Sequence, residues 1–269
     1  MIREAHVTIG DRTTRYLEAG AGWPVVLIHA FPLNADMWRP QLERVPQGWR
    51  FIAPDLRGFG PPGPQAAPET ATVDDYGRDV GVLLDRLGID CATIGGLSMG
   101  GYITFAMLRQ SPERFTGLIL ADTKSAADTP EGRAGRTRMI ELVRASGPSA
   151  VADQMLPKLL SAATRRTRPE VEARVRQMIE STSTPAIVAA LEALSNRPDS
   201  TPDLAGVRRP ALIVVGAEDA LTPVADAEAM DRGIARSTLV KLPDAGHLSN
   251  LESPDAFSKV LCDFLASSL

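Results

Sequence analysis

Histidine and cysteine are scarce in this chain, with three and two residues respectively in 269. So thin a supply excludes a disulfide-stapled scaffold and a Cys/His zinc cluster. Cys91 and Cys262 fall in a core-strand pattern and in the last helical pattern, and are expected to be buried free thiols of a reducing compartment. No apolar run approaches the roughly 18 residues that a membrane span needs. The start, Met1-Ile2-Arg3-Glu4-Ala5-His6, lacks the apolar stretch of a secretory signal, so a cytoplasmic protein is expected. Positive charge is not in excess either: 29 Lys and Arg against 33 Asp and Glu leave a net charge of −4. That balance gives no attraction for nucleic acid or a membrane surface. The local cluster Arg165, Arg166 and Arg168 reads as solvated surface. What is present, 44% hydrophobic and 23% charged residues, suits a globular chain able to bury a full core. Neither metal nor cofactor is expected. The partner is expected to be a small molecule, and the protein a monomer or small homo-oligomer.

Short apolar runs alternate with helical patterns in the first part of the chain. His6–Ile9 and Thr13–Glu18 read as a hairpin turning at Gly10-Asp11. Val25–Ile28 is a continuous apolar run, as expected of a strand buried on both faces of a parallel sheet. Phe51–Ala53 follows, and then a helix over Val73–Leu87 with Tyr76, Val80, Leu83, Leu84 and Leu87 on one face, stopped by Gly88. Cys91–Ile94 and Leu118–Ala121 read as further strands. From about Lys124 the strand signal disappears, and four helical segments follow: Glu131–Ser146, Pro148–Leu160, Pro169–Thr182 and Thr184–Asn196. Alternation resumes with the strand Leu212–Val215, a helix near Val224–Ile234, the strand Ser237–Leu242 and a helix near Pro254–Ala266. The pattern predicts an α/β core of residues 1–123 and 206–269, and a helical cap (lid) of residues 124–205 over the carboxyl ends of the strands. The Pro- and Gly-rich loop Gly58–Thr72 is expected to be irregular.

The chemistry centres on Thr93-Ile94-Gly95-Gly96-Leu97-Ser98-Met99-Gly100-Gly101. An apolar run reaches a serine held between glycines and passes straight into a helical segment, the layout of a nucleophile elbow, G-x-S-x-G. Alone, such a pentapeptide arises by chance about once in ten chains of this length, so its partners decide. A serine needs a base within hydrogen-bond reach. His6 reads as a surface residue of the hairpin, and His29 as a structural residue directly after a strand. His247, in the loop between the last strand and the last helix, would hang over the strand ends and is the expected base. Asp219, just after the strand Leu212–Val215, is the expected acid that orients it, with Asp122 as rival. Glu218 is expected to point away, and Asp244 lies too close to His247 along the chain. Acyl transfer also needs two oxyanion donors, for which the Met99 and Phe31 backbone N–H groups are the candidates, since Pro32 has none.

Together these residues resemble the α/β-hydrolase superfamily over nearly the whole chain. Pro54-Asp55-Leu56-Arg57-Gly58-Phe59-Gly60 resembles the family's segment after the fourth strand, where the aspartate and arginine are structural. Gly216–Pro223 resembles its acid loop, and Ala245-Gly246-His247 its histidine loop. His29-Ala30-Phe31-Pro32-Leu33 with Asp36-Met37-Trp38 resembles the small carboxylesterases, the cofactor-free haloperoxidases (perhydrolases) and the enol-lactone hydrolases. Two positions depart from the pattern: Ala30 where the family has glycine, and Pro61-Pro62 after Phe59-Gly60.

The resemblance implies an α/β-hydrolase fold with a mostly parallel eight-stranded sheet flanked by helices. It also implies a Ser98–Asp219–His247 triad acting on a small-molecule carboxylic ester through an acyl-enzyme. Short- to medium-chain acyl groups are expected, in a pocket lined by Trp38 and by Met139, Leu142, Val143, Met155 and Leu159 of the cap. A perhydrolase, an enol-lactone hydrolase and, from another class, a hydrolase-fold ligand receptor are the alternatives.

Overall fold

The computed structural model describes residues 1–61 and 70–268, so residues 62–69 of the expected Gly58–Thr72 loop lie outside the described residues. Its flanks at 58–61 and 70–72 form neither helix nor strand. The strands are β1 (Arg3–Ile9), β2 (Arg12–Gly20), β3 (Trp23–Ile28), β4 (Trp49–Pro54), β5 (Ala92–Leu97), β6 (Phe115–Ala121), β7 (Ala211–Gly216) and β8 (Ser237–Leu242). They form one sheet in the order β1-β2-β4-β3-β5-β6-β7-β8. β1/β2 and β2/β4 pair antiparallel, and all pairs from β4 to β8 are parallel. The expected eight-stranded, mostly parallel sheet is therefore present. Every residue of β5 and β7 is buried, which explains why neither carries a charge, whereas β1 at the edge is mostly exposed on one side.

The helices are α1 (Arg39–Leu42), α2 (Val73–Arg86), α3 (Met99–Gln110), α4 (Pro130–Leu159), α5 (Ala162–Thr167), α6 (Pro169–Glu180), α7 (Thr184–Ser195), α8 (Val224–Gly233), α9 (Ser249–Glu252) and α10 (Pro254–Ser268). α2 begins in a capping box, with Thr72 Oγ1 and the Asp75 carboxylate each accepting the other's backbone N–H. It buries Tyr76, Val80, Leu83 and Leu84, and the chain leaves it through Gly88 at φ +66°. α3 lies so close to the sheet that a Cβ on Gly100 would sit 2.2 Å from the Ile28 carbonyl oxygen. A Cβ on Gly95 would sit 2.1 Å from that of Ile119. Both contacts are with backbone, which cannot swing aside, so the glycines around Ser98 are a packing requirement.

Helices α4 to α7 all fall between β6 and β7. The two helices expected over Glu131–Ser146 and Pro148–Leu160 run on as one element, Pro130–Leu159, broken at Gly147 where φ is +74°. Proline next in line occupies the first turn of the second segment, where its missing N–H costs nothing. Sequence patterning missed α5, six residues capped by the Ser161 hydroxyl, which is too short to show a periodicity.

This helical stretch sits against the loops at the carboxyl ends of the strands. Thr182 donates to the Pro32 carbonyl at 3.3 Å, Arg174 to that of Asp36 at 2.6 Å, and the Leu248 N–H to that of Leu159 at 3.1 Å. On its other side Arg197 pairs with buried Asp128 at 2.8 Å, and its guanidinium lies 4.1 Å from the centre of the Tyr102 ring in α3.

Three expectations need correction. Cys91 and Cys262 are free but half-buried: Cys91 precedes β5 at the amino ends of the strands, and Cys262 lies on the flank of α10. Arg168 does not belong to a wholly solvated cluster, because its guanidinium reaches back to the Glu252 carbonyl at 2.8 Å. Trp38 is fully buried, with its ring 5.9 Å from that of Phe257 in α10, and so belongs to the core.

Candidate active site

Ser98 sits between β5 and α3 with φ +56° and ψ −111°, a backbone conformation that L-residues adopt only when the surroundings force it. The forcing groups are visible. Its N–H donates to the Ala121 carbonyl at 2.9 Å, and its carbonyl accepts from Gly101 N–H at 2.9 Å and from Thr123 Oγ1 at 2.8 Å. Ser98 is half-buried in an otherwise buried strand-to-helix turn. Met99 is the first residue of α3, so its N–H has no partner within the helix.

The segment after β3 is held from several directions. His29 is fully buried; its Nδ1 donates to the Ala30 carbonyl at 2.9 Å and its Nε2 accepts the Leu56 N–H at 3.1 Å. Those two bonds define a neutral tautomer, and the edge of Phe59 packs against the ring at 5.0 Å. Burial pushes the His29 pKa down to about 4, with the Ala30 carbonyl opposing only part of the shift. The sign follows. Unfolded, this histidine titrates near 6.5; folded, it resists protonation down to about 4, so stability falls as pH drops through that window. We expect a His29→Gln variant to be less stable than wild type at pH 7. Its stability should also vary less between pH 6.5 and 4, as read by urea titrations across that range.

Neighbouring Asp55 accepts the Ala35 N–H at 2.7 Å and pairs with buried Arg15 at 3.0 Å. Arg57 pairs with Asp79 at 2.5 Å. The 54–60 segment is thus a brace for the loop that carries Phe31. Ala30 is accommodated, its N–H pointing at the Met37 sulfur 3.2 Å away. Phe31 is 5% exposed, joined to Pro32 by a cis peptide, and its N–H makes no hydrogen bond among the described residues.

His247 is buried in the loop between β8 and α9, with Nδ1 2.8 Å from Asp219 Oδ2. Asp219 is fixed on every side: Oδ1 accepts the N–H groups of Leu221 at 2.8 Å and Thr222 at 3.0 Å, and Oδ2 accepts the Thr222 hydroxyl at 2.7 Å. Burial pushes its pKa up, but the imidazole and these donors outweigh that and hold it below the usual carboxylate range. Asp122, the rival acid, makes no bond to the imidazole. Its carboxyl accepts from Gly216 N–H at 2.8 Å and from the Ser249 hydroxyl at 2.5 Å, and burial together with the Asp219 charge pushes its pKa well up. Glu218 and Asp244 are exposed. The Ser98 hydroxyl is not hydrogen-bonded to the imidazole in this structure. Such contacts are commonly long without substrate and tighten in the complex.

Of the apolar residues expected over the site, Val143 and Leu159 are buried within the helical stretch, while Met139, Leu142 and Met155 are partly exposed. A cavity of about 430 Å³ lies between the 34–43 segment and α6, lined by Asn34, Asp36, Arg39, Arg174 and Met178 among others. A second, of about 460 Å³, lies at the opposite end of the sheet around Trp23, Trp49 and Cys91, far from Ser98 by topology. Sequence reasoning overlooked Thr222, which bridges the acid and the base loop, and Glu252, whose carboxylate accepts the Gly246 N–H next to His247 at 2.9 Å. The threonine three residues after Asp219 was open to recognition as a local turn partner; Glu252 gave no such signal. Among the described residues no cluster of metal-ligating side chains occurs, and no helix is long and apolar enough to cross a membrane.

The geometry has close counterparts. A thermophilic esterase from Thermogutta terrifontis superposes with a TM-score of 0.92 at 38% identity, covering 99% of each chain. The enol-lactonase from Burkholderia xenovorans superposes with a TM-score of 0.89 at 29% identity, covering 98% of this chain and 100% of that one. In sequence, 3-oxoadipate enol-lactonase 2 of Acinetobacter baylyi is 32% identical over 254 residues, 94% of this chain and 92% of the relative. The model of the alpha/beta hydrolase fold family matches residues 24–254, strand β3 through to the start of α10. The chain is a hydrolase and belongs to the α/β-hydrolase family.

Proposed function

We propose that the protein hydrolyses carboxylic esters through a covalent acyl-enzyme on Ser98. His247 takes the Ser98 proton as the hydroxyl attacks the carbonyl carbon, and the Phe31 and Met99 N–H groups receive the tetrahedral oxyanion. His247 returns the proton to the departing alcohol. It then deprotonates the water that releases the acid, with Asp219 stabilising the imidazolium throughout. The observation that carries this reading is the Asp219–His247 pair, fixed by four hydrogen bonds on a loop at the edge where Ser98 is strained outward. Residues 124–205 act as the cap, and the partly exposed Met139, Leu142 and Met155 offer an apolar acyl-binding surface with Val143 and Leu159 behind them.

A cyclic enol ester is the second reading. It is supported by the enol-lactonase relatives, one matched in sequence and one in structure. A panel of p-nitrophenyl esters from acetate to decanoate, run beside an enol-lactone and repeated with peroxide and bromide, separates the possibilities. The expected result is greatest kcat/KM on acetate to hexanoate without peroxide. Turnover confined to the lactone, or to peroxide-dependent halogenation, would overturn it.

A further inference from the structure

Both peptide neighbours of His247 are tied to one point of the helical stretch, the junction between α4 and α5. On the near side, the Gly246 N–H donates to Glu252 Oε1 at 2.9 Å, while Ser161 N–H donates to Oε2 of the same carboxylate at 2.8 Å. On the far side, the Leu248 N–H donates to the Leu159 carbonyl at 3.1 Å. The Glu252 backbone carbonyl also accepts Arg168 Nη1 at 2.8 Å, so a third residue of the same region grips α9. Packing leaves no slack: a Cβ on Gly246 would lie 2.8 Å from Ser161 N and 2.9 Å from Glu252 Oε1. Glu252 is buried, with no cation on its carboxylate among the described residues; its charge is met by the two backbone N–H groups. A buried carboxylate held this way is costly to leave half-satisfied, so the two loops move together or not at all.

We infer that Glu252 is a positioning residue that locks the His247 loop to the Leu159–Ser161 junction, so that the seating of the cap sets where the imidazole stands relative to Ser98. This rests on the serine-hydrolase reading above. The lever is the imidazole alone: substrate binding by the rest of the cap is untouched, so loss of the lock appears in kcat and in Ser98 reactivity.

Two kinds of variant test it. Glu252→Gln keeps the shape but turns one of the two acceptors into a donor facing an N–H. Ser161→Pro removes the cap-side N–H and the Ser161 cap, and its ring, standing where the N–H hydrogen pointed at Glu252 Oε2, pushes the carboxylate off the junction; the backbone itself, with φ −59° at Ser161 and extended Leu160, is compatible with proline. Ser161→Ala is the control, losing the cap hydroxyl and keeping the N–H. Each variant is titrated with a fluorophosphonate to count reactive sites, and p-nitrophenyl butyrate turnover is expressed per site. A merely structural role lowers the number of labelled sites and the melting temperature, not the rate per site.

Expected is a fall of about ten- to a hundredfold in kcat per site for Glu252→Gln, and about tenfold for Ser161→Pro relative to Ser161→Ala, with KM within about twofold. Unchanged kcat per site in both would overturn the inference, and if Glu252→Gln fails to fold, the Ser161 pair decides. Failure of the parent reading looks different: the wild type itself would then carry no label on Ser98.

Discussion

Replacing Ser98 by alanine is expected to lower kcat on short esters by about 10⁴-fold or more while leaving the fold intact, because removing a triad nucleophile leaves only binding and the oxyanion donors. That loss corresponds to roughly 5 kcal/mol of transition-state stabilisation. The fold should not suffer. The Ser98 side chain makes no hydrogen bond among the described residues, and its backbone bonds to Ala121, Gly101 and Thr123 do not involve the hydroxyl. Alanine must still occupy φ +56°, a strain the serine already carries. The melting temperature should therefore stay within a few degrees of wild type. Equal kcat in the two proteins, with background hydrolysis subtracted, would remove Ser98 from the mechanism.

The second large effect is expected at Asp219. In an Asp219→Asn variant, the side-chain oxygen stays on the Leu221 and Thr222 N–H groups, which need an acceptor. The new amide NH₂ then faces His247 Nδ1, where Oδ2 stood at 2.8 Å. A donor there forces Nδ1 to become an acceptor, so the ring proton moves to Nε2 and no lone pair remains toward Ser98. A drop in kcat of about 10⁴-fold is expected, with KM little changed, because the substrate never touches this residue. Measuring kcat and KM across pH 6 to 9 tests it. An Asp219→Asn variant that keeps wild-type kcat while a folded Asp122→Asn variant loses it would instead reassign the acid to Asp122.

Much of the molecule is legible in its sequence, and the legible parts share a cause. Val25–Ile28 of β3, Leu118–Ala121 of β6 and Leu212–Val215 of β7 are buried on both faces, so each appears as an unbroken apolar run between helical patterns. The turn at Ser98 is legible because backbone packs on backbone at Gly95 and Gly100, and only glycine permits it. Asp219 and His247 stand out because each follows a strand at the same edge of a parallel sheet, and the structure sets them 2.8 Å apart.

What was hidden depends on contacts across long stretches of chain. Glu252 and Ser161 are 91 residues apart, and nothing local to either announces the bond. Arg168 looked like one of three surface arginines until the fold brought the Glu252 carbonyl to it. Trp38 stands in a motif beside the oxyanion loop, yet its ring turns into the core against Phe257, a residue more than two hundred positions away. α5 escaped notice because six residues cannot display a helical period.

The expected reaction requires one hydroxyl in the chain to be far more nucleophilic than any other. Labelling the wild-type protein with a fluorophosphonate, followed by proteolysis and mass spectrometry, asks this directly. A single modified residue, Ser98, is expected, with loss of esterase activity in proportion to its occupancy. An enzyme fully active on esters whose Ser98 stays unmodified, or whose label sits on another residue, would contradict it.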